Sequence, residues 1–328
     1  MFNSCGDLGG GPGYPQGVSS RLGGRHSWVM PRRPYRPRAL EFEVFNGHDA
    51  VREGLLTPHQ LRSSAWVRKR YNVYADSRLD GDHALDCRAA MLSLPCGTVI
   101  AGPSAAYLYG IDHAAKPMSV VHVIAPAGCQ IGQRKGIRTH RVELDKKDVI
   151  AGPGVPRTTP PRTAWDAATW LPTIDAVPIV DTMLGRGFLT DAQLAAFLAV
   201  RAGSRGSRLA NQVFGLADGG AQSVPESVLR VRFVLAGLPR PVTQYRIILP
   251  NGATVYPDIT WPRYRVAAEY DGLWHGDADQ FHRDRRRLNQ LVTADWIVLH
   301  VTAQRLYKDF DGVLQEVKAA LRSRGWRG

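Results

Sequence analysis

The chain has 328 residues, with 42 Lys and Arg against 29 Asp and Glu and a formal net charge of +13. This length has room for two domains with their own cores, and 44% hydrophobic with 22% charged residues excludes a chain that is disordered or fibrous throughout. No run approaches the roughly 20 consecutive apolar residues that span a bilayer, and no apolar core follows a basic start, so the expected location is cytoplasmic, without a membrane partner.

Residues 1–40 hold six Arg and one Asp among Gly and Pro, without periodicity. They read as a disordered arm or as an extension upstream of the true start. In GLLTPHQLRSSAW, Thr57 is placed to cap a helix with Pro58 at its first position, and RKRYNVYAD reads as a short basic strand. Two short helices are expected within 84–110, then strands at 119–124 and in GIRTHRVEL. Further helices are expected in TTPPRTAWDAATWL and at 174–185, 190–200 and 206–216. His113, His122 and His140 stand at no ligand spacing and read as structural, and Tyr107, Tyr109, Trp165 and Trp170 read as core.

DGGAQS, residues 218–223, is a linker by composition. After it the pattern predicts helix 224–237, strand 242–249, an Asn251-Gly252 turn and strands 253–260 and 265–271. Helix 279–293, strand 296–302 and helix 304–323 complete the chain. No internal repeat of fixed period is present. Cys5, Cys87, Cys96 and Cys129 form no C-x-x-C pair and have no His at ligand spacing, so no zinc is expected.

The chemistry concentrates after the linker. Side chains alternate along a strand, so in Arg265-Val-Ala-Ala-Glu-Tyr-Asp the carboxylates of Glu269 and Asp271 share one face, and Asp258 on the preceding strand can lie across from them. Grouped carboxylates repel one another unless a cation stands between them, and hard oxygen ligands suit Mg²⁺ or Mn²⁺. His275 follows four residues after Asp271, with an imidazole that can exchange protons near neutral pH. Glu226 opens the first helix at capping-box spacing from Ser223, so a cap and an acid of the site are both open to it. Arg283, Arg285, Arg286 and Arg287 open the next helix beside the acids and suit DNA phosphates.

Formal charge divides as +5 over 1–40, +3 over 41–221 and +5 over 222–328. Such an excess points to a polyanion, nucleic acid before a membrane surface.

P-E-S-x-L-R at 225–230, P-D at 257–258, E-Y-D-G-x-x-H at 269–275, R-D-x-x-R at 283–287 and W-x-V-L-x-V-T at 296–302 together resemble the very-short-patch-repair endonuclease-like branch of the PD-(D/E)XK nuclease superfamily. The resemblance implies a restriction-endonuclease-like mixed four-stranded sheet flanked by helices over 224–328, and Mg²⁺-dependent DNA cleavage. It makes Asp258 the central metal ligand, places Glu269 and Asp271 in the metal pocket, makes Glu226 an outer acid and gives His275 the proton transfer. Asp271 stands where the superfamily carries Lys.

Upstream, GLLTPHQL (54–61), VYA (73–75), AGPSAAYLYGI (101–111), VHVIAP (121–126), HRVEL (140–144) and TTPPRTAWDAA (158–168) resemble the abortive-infection type IV antitoxin family (AbiEi-like). That resemblance implies a mainly helical region over 41–217 with a winged-helix-like start. Here the start is truncated, because about ten residues, 62–71, separate the first helix from the wing-like strand.

The fold class implied is α/β (α+β). The leading expectation is a metal-dependent DNA endonuclease, with DNA before RNA as its nucleic acid. The alternative is a non-catalytic DNA-binding or partner-binding antitoxin whose partner is a cognate toxin protein.

Overall fold

In the computed structural model, residues 34–152, 154–272 and 291–328 are described. The class is mixed α+β, with helices and several mixed sheets. No helix among the described residues is long and apolar enough to cross a membrane.

The first sheet has the order β1 (Val44–Asn46), β3 (Val73–Asp76), β2 (Trp66–Arg70), all antiparallel. Asn46 caps the short helix α1 (Gly47–Arg52) by accepting the His48 and Asp49 N–H groups. The helix expected from Thr57 is instead a single 3-10 turn, Gln60–Arg62. Thr57 and Gln60 do form a reciprocal cap, at 2.8 and 3.2 Å, but the chain leaves the helical path at Ser63 to enter β2. The basic strand is also corrected, since it folds back on itself as a β2–β3 hairpin. Asn72 takes the left-handed conformation, φ 56°, and its amide bonds the Asn46 side chain, fixing the turn to α1.

Asp82 caps α2 (His83–Met91), and a five-stranded sheet follows in the order β6 (Ile137–His140), β5 (Val121–Ile124), β4 (Val99–Ile100), β8 (Arg157–Thr158), β7 (Val149–Ile150). Helix α3 (Gly102–Leu108) packs against α2 and β5. At its first residue only glycine fits: φ is +52°, and a Cβ would lie 2.6 Å from the Trp170 ring. The region before the linker thus carries two sheets beside its helices.

Helices α4 (Pro160–Trp170), α5 (Thr173–Gly185), α6 (Asp191–Val200) and α7 (Ser207–Leu216) enclose an apolar core that includes Trp165, Val177, Val180, Met183 and Val213. Paired prolines open α4, and a Thr190–Gln193 capping box opens α6, which places these boundaries within a residue or two of the expected ones.

The last sheet has the order β14 (Ile297–Thr302), β13 (Val266–Asp271), β12 (Ile259–Trp261), β9 (Val242–Thr243), with β13 and β14 parallel and the other pairs antiparallel. One face buries Ile259, Trp261, Val266, Ala268 and Val301 against α8 (Val224–Leu235), α9 (Ala303–Lys308) and α10 (Phe310–Ser323). The helix expected over 304–323 is therefore two, parted at Asp309. The strands expected over 242–249 and 253–260 are each interrupted as well. Between the pieces, β10 (Ile247–Ile248) and β11 (Thr254–Val255) form a separate hairpin around Gly252. Gln244 at φ 49° and Pro257, which has no N–H to give, break the ladder.

Residues 218–223 pack closely against the elements they join. The Asp218 N–H donates to Asp181 at 2.7 Å, and the Gly219 carbonyl lies so near Gly185 that a Cβ there would stand 2.8 Å from it. Alongside, Arg230 of α8 is fully buried and pairs with Asp181 of α5 at 2.7 Å, while its other terminal nitrogen donates to the Leu216 carbonyl.

Candidate active site

The acids come together because the ladder breaks beside them. Ile259 pairs with Ala268 and Thr260 with Ala267, so Asp258, one residue ahead of β12, continues the register opposite Glu269. Asp258 still takes the Gln244 N–H on its carbonyl at 3.4 Å, the next position in the β9 register, and the regular ladder ends at Pro257, which has no N–H to give. The Asp258 Oδ2 accepts the Tyr270 N–H at 2.9 Å. The carboxylate thus takes the place of a strand carbonyl and is held at the edge of β13.

Alternation along β13 sends Val266 and Ala268 into the helix-covered core, and Ala267 to the opposite face with Leu291 and Trp296. Glu269 and Asp271 follow Ala267, as expected, and both are half-buried. In the parallel pairing with β14, Glu269 stands beside His300 and Asp271 beside Thr302. The His300 Nδ1 lies 3.0 and 3.2 Å from the two Asp271 oxygens. His300 was not among the expected site residues. Its signal was in the strand text, where Val298, His300 and Thr302 alternate toward the acid face.

Glu226 is at once a cap and a neighbour of the acids. Its carboxylate accepts the Gln222 N–H at 2.9 Å and the Ser223 hydroxyl at 2.8 Å, and its own N–H reaches the Ser223 oxygen at 3.4 Å. Burial pushes its proton affinity above the ordinary glutamate value, and the nearby Asp258 charge pushes the same way, against the pull of the two donors. Asp258 and Glu226 therefore sense each other across the α8 N-terminus.

His275, Arg283, Arg285, Arg286 and Arg287 lie outside the described residues. Among the described residues, no group of three or more His, Cys, Asp or Glu side chains stands close enough to hold a metal ion. The donors near β13 are nonetheless hard carboxylate oxygens, the type Mg²⁺ prefers, with the mutual repulsion of Asp258 and Glu226 for a cation to relieve.

Upstream, the structure brings together two histidines that the sequence left apart. His122 of β5 and His140 of β6 lie 3.0 Å apart, Nδ1 to Nε2, and the His140 ring stacks on Trp170 with centroids 3.4 Å apart. Burial pulls both imidazoles down, to about 4 for His122 and about 3 for His140, with Arg138 lowering each further. Both are therefore neutral at physiological pH.

No protein-family profile matches the chain. It is similar to the uncharacterized proteins Rv2248 and MT2308 from two strains of Mycobacterium tuberculosis, at 29% identity over 260 residues, covering 76% of this chain and 90% of each relative. Among solved structures, the crystal structure of the RV2827C protein from Mycobacterium tuberculosis aligns with a TM-score of 0.39 and 16% identity, over 63% of this chain and 84% of that one.

Proposed function

We propose that the chain is a metal-dependent DNA endonuclease whose site is the acid face of β13. The observation that carries this reading is the position of Asp258, held by the Tyr270 N–H opposite Glu269, with Asp271 on the same face and Glu226 within electrostatic reach. Asp258, Glu269 and Asp271 are the residues from which Mg²⁺ or Mn²⁺ would draw its ligands; since they form no closed three-acid cluster, one or two of them would hold it, with water and substrate phosphate completing the shell. When bound, such a cation supplies Lewis-acid polarisation of a phosphodiester and lowers the pKa of a bound water.

The chain's own residues do the rest. The Tyr270 N–H fixes one Asp258 oxygen beside β13 and so sets the direction of the carboxylate. Glu226 has a raised proton affinity, so it can exchange a proton with a water closer to neutral pH than an exposed carboxylate does. His300 orients Asp271 from the next strand. His275 is the proton-transfer group and Arg283, Arg285, Arg286 and Arg287 are the phosphate contacts that the resemblance assigns.

The test is nicking of supercoiled plasmid by purified protein with Mg²⁺ or Mn²⁺. Wild type is expected to nick and Asp258→Ala to lose at least 100-fold in rate, on the order of 3 kcal/mol of transition-state stabilisation, with its unfolding midpoint retained. Equal null activity of both proteins on duplex, single-stranded and branched DNA overturns the proposal.

One observation favours a second reading, a DNA-binding regulator on a nuclease-like scaffold. Asp271 occupies the position of the superfamily's Lys and is engaged by His300 at 3.0 Å. Salt-dependent DNA binding with no cleavage under any metal supports that reading.

A further inference from the structure

A cleft of about 900 Å³ opens between the β2–β3 hairpin and the loop leading into β6, and none of the β13 acids lines it. Five cations do, Arg68, Lys69, Arg70, Arg134 and Lys135, against a single carboxylate, Asp86. Asp86 is already engaged, by the Lys69 ammonium at 2.7 Å and the Met118 N–H at 3.2 Å. None of the other four cations has a carboxylate partner among the described residues.

The three arginines among them are held in place by backbone. Arg70 donates to the Lys135 carbonyl at 3.0 Å, Arg134 to the Ser93 carbonyl at 2.6 Å, and Arg68 to the Arg70 carbonyl at 3.3 Å. Carbonyl bonds fix a guanidinium without cancelling its charge. Burial lowers the proton affinity of Arg70, and although Asp86 opposes this, the like charge of Arg134 adds to it. Like charges fixed around one hollow repel unless an anion lies between them.

We propose that this cleft seats one phosphate strand of duplex DNA, as an anchoring surface separate from the acid face. Phosphates match its chemistry, because guanidinium forks bind them in pairs and ammonium groups bind them as point charges. A duplex fits better than a single strand. Bases are turned inward in a duplex, and the cleft offers only one strongly exposed ring, Tyr71 at 80% exposure, rather than a run of stacking platforms. A membrane surface fits less well because the cations line a concave wall instead of one side of an amphipathic helix. This anchoring would stand even if the acid face cleaves nothing.

The test uses the full chain carrying Asp258→Asn in every arm, so that cleavage cannot enter the measurement. Binding of a labelled duplex of about 20 base pairs is followed by anisotropy across salt concentrations. Arg68→Ala with Lys135→Ala is expected to weaken binding about 10-fold near 0.1 M salt, and to reduce the slope of log affinity against log salt by about 2, close to 0.9 per lost phosphate contact. Arg68→Lys with Lys135→Arg, which keeps both charges, is expected to retain the slope and serves as the control for folding. An unchanged affinity and slope in the alanine variant overturns the proposal. So does equal or tighter binding of duplex RNA, or loss only of binding to anionic lipid vesicles with DNA binding intact.

Discussion

Hydrogen bonds keep Asp76 charged and burial keeps the His122–His140 pair neutral, and together they shape how the protein responds to acid. Burial alone would raise the Asp76 carboxyl. Hydrogen bonds from Arg78 and from the Phe42 and Arg78 N–H groups outweigh it and hold the carboxyl far below the ordinary aspartate value. A depressed carboxyl contributes stability that is present above its unfolded pKa, about 3.9, and is lost as pH falls through and below it. The histidines act earlier. Folded, they stay neutral down to about 4 and 3, while the unfolded chain takes up their protons near about 6.5, so stability falls as pH drops from about 6.5 toward 4. Urea unfolding from pH 7 to 3 should therefore show two successive losses. His140→Phe keeps a ring on Trp170 and should shrink the first loss, and Asp76→Asn should shrink the second while lowering stability at pH 7. An undiminished first loss in His140→Phe would show that the pair is not its source.

At the scale of elements, α8 belongs to two cores. Val231 faces the helical core with Val177 and Met183, whereas Leu229 and Phe233 face the sheet core with Trp261 and Val266. The Arg230–Asp181 pair lies at the junction, fully buried. Asp181→Ala would leave a buried guanidinium without its carboxylate, and the expected cost is about 3–5 kcal/mol by urea denaturation. A change below about 1 kcal/mol would show that Arg230 finds water or another partner. The same scale shows what sequence could and could not reveal. Helix α6 was legible from the cap that Thr190 and Gln193 form at its start, and α7 from the apolar spacing of Ala210, Val213 and Leu216. The β2–β3 hairpin was not, because Tyr71-Asn72 is a weak turn signal and Asn72 is fixed by a contact with Asn46, 26 residues away. Of the two breaks beside Asp258, the one at Pro257 is written in the sequence, whereas the left-handed Gln244 is announced by no local propensity. The acid face itself was readable because alternation along β13 needs no tertiary information. His300 and the His122–His140 contact required strand order, which it did not supply.

For the whole molecule, the +13 charge is distributed unevenly and for different ends. Among the described residues, the cleft beside the β2–β3 hairpin sets five cations against one carboxylate, Asp86, while the C-terminal sheet sets acids at the edge of β13. A cation-lined cleft together with an acid face is the arrangement that the proposed nuclease requires. Cleavage should consequently weaken at high salt through binding while its metal requirement remains. The most direct test is the rate of plasmid nicking with Mg²⁺ or Mn²⁺ by wild type and by Asp258→Ala. Metal-dependent nicking that falls at least about 100-fold in the variant, in a protein that still folds, is the predicted result. The same rate in both proteins, zero or otherwise, would contradict the assignment of the β13 acid face as a nuclease site.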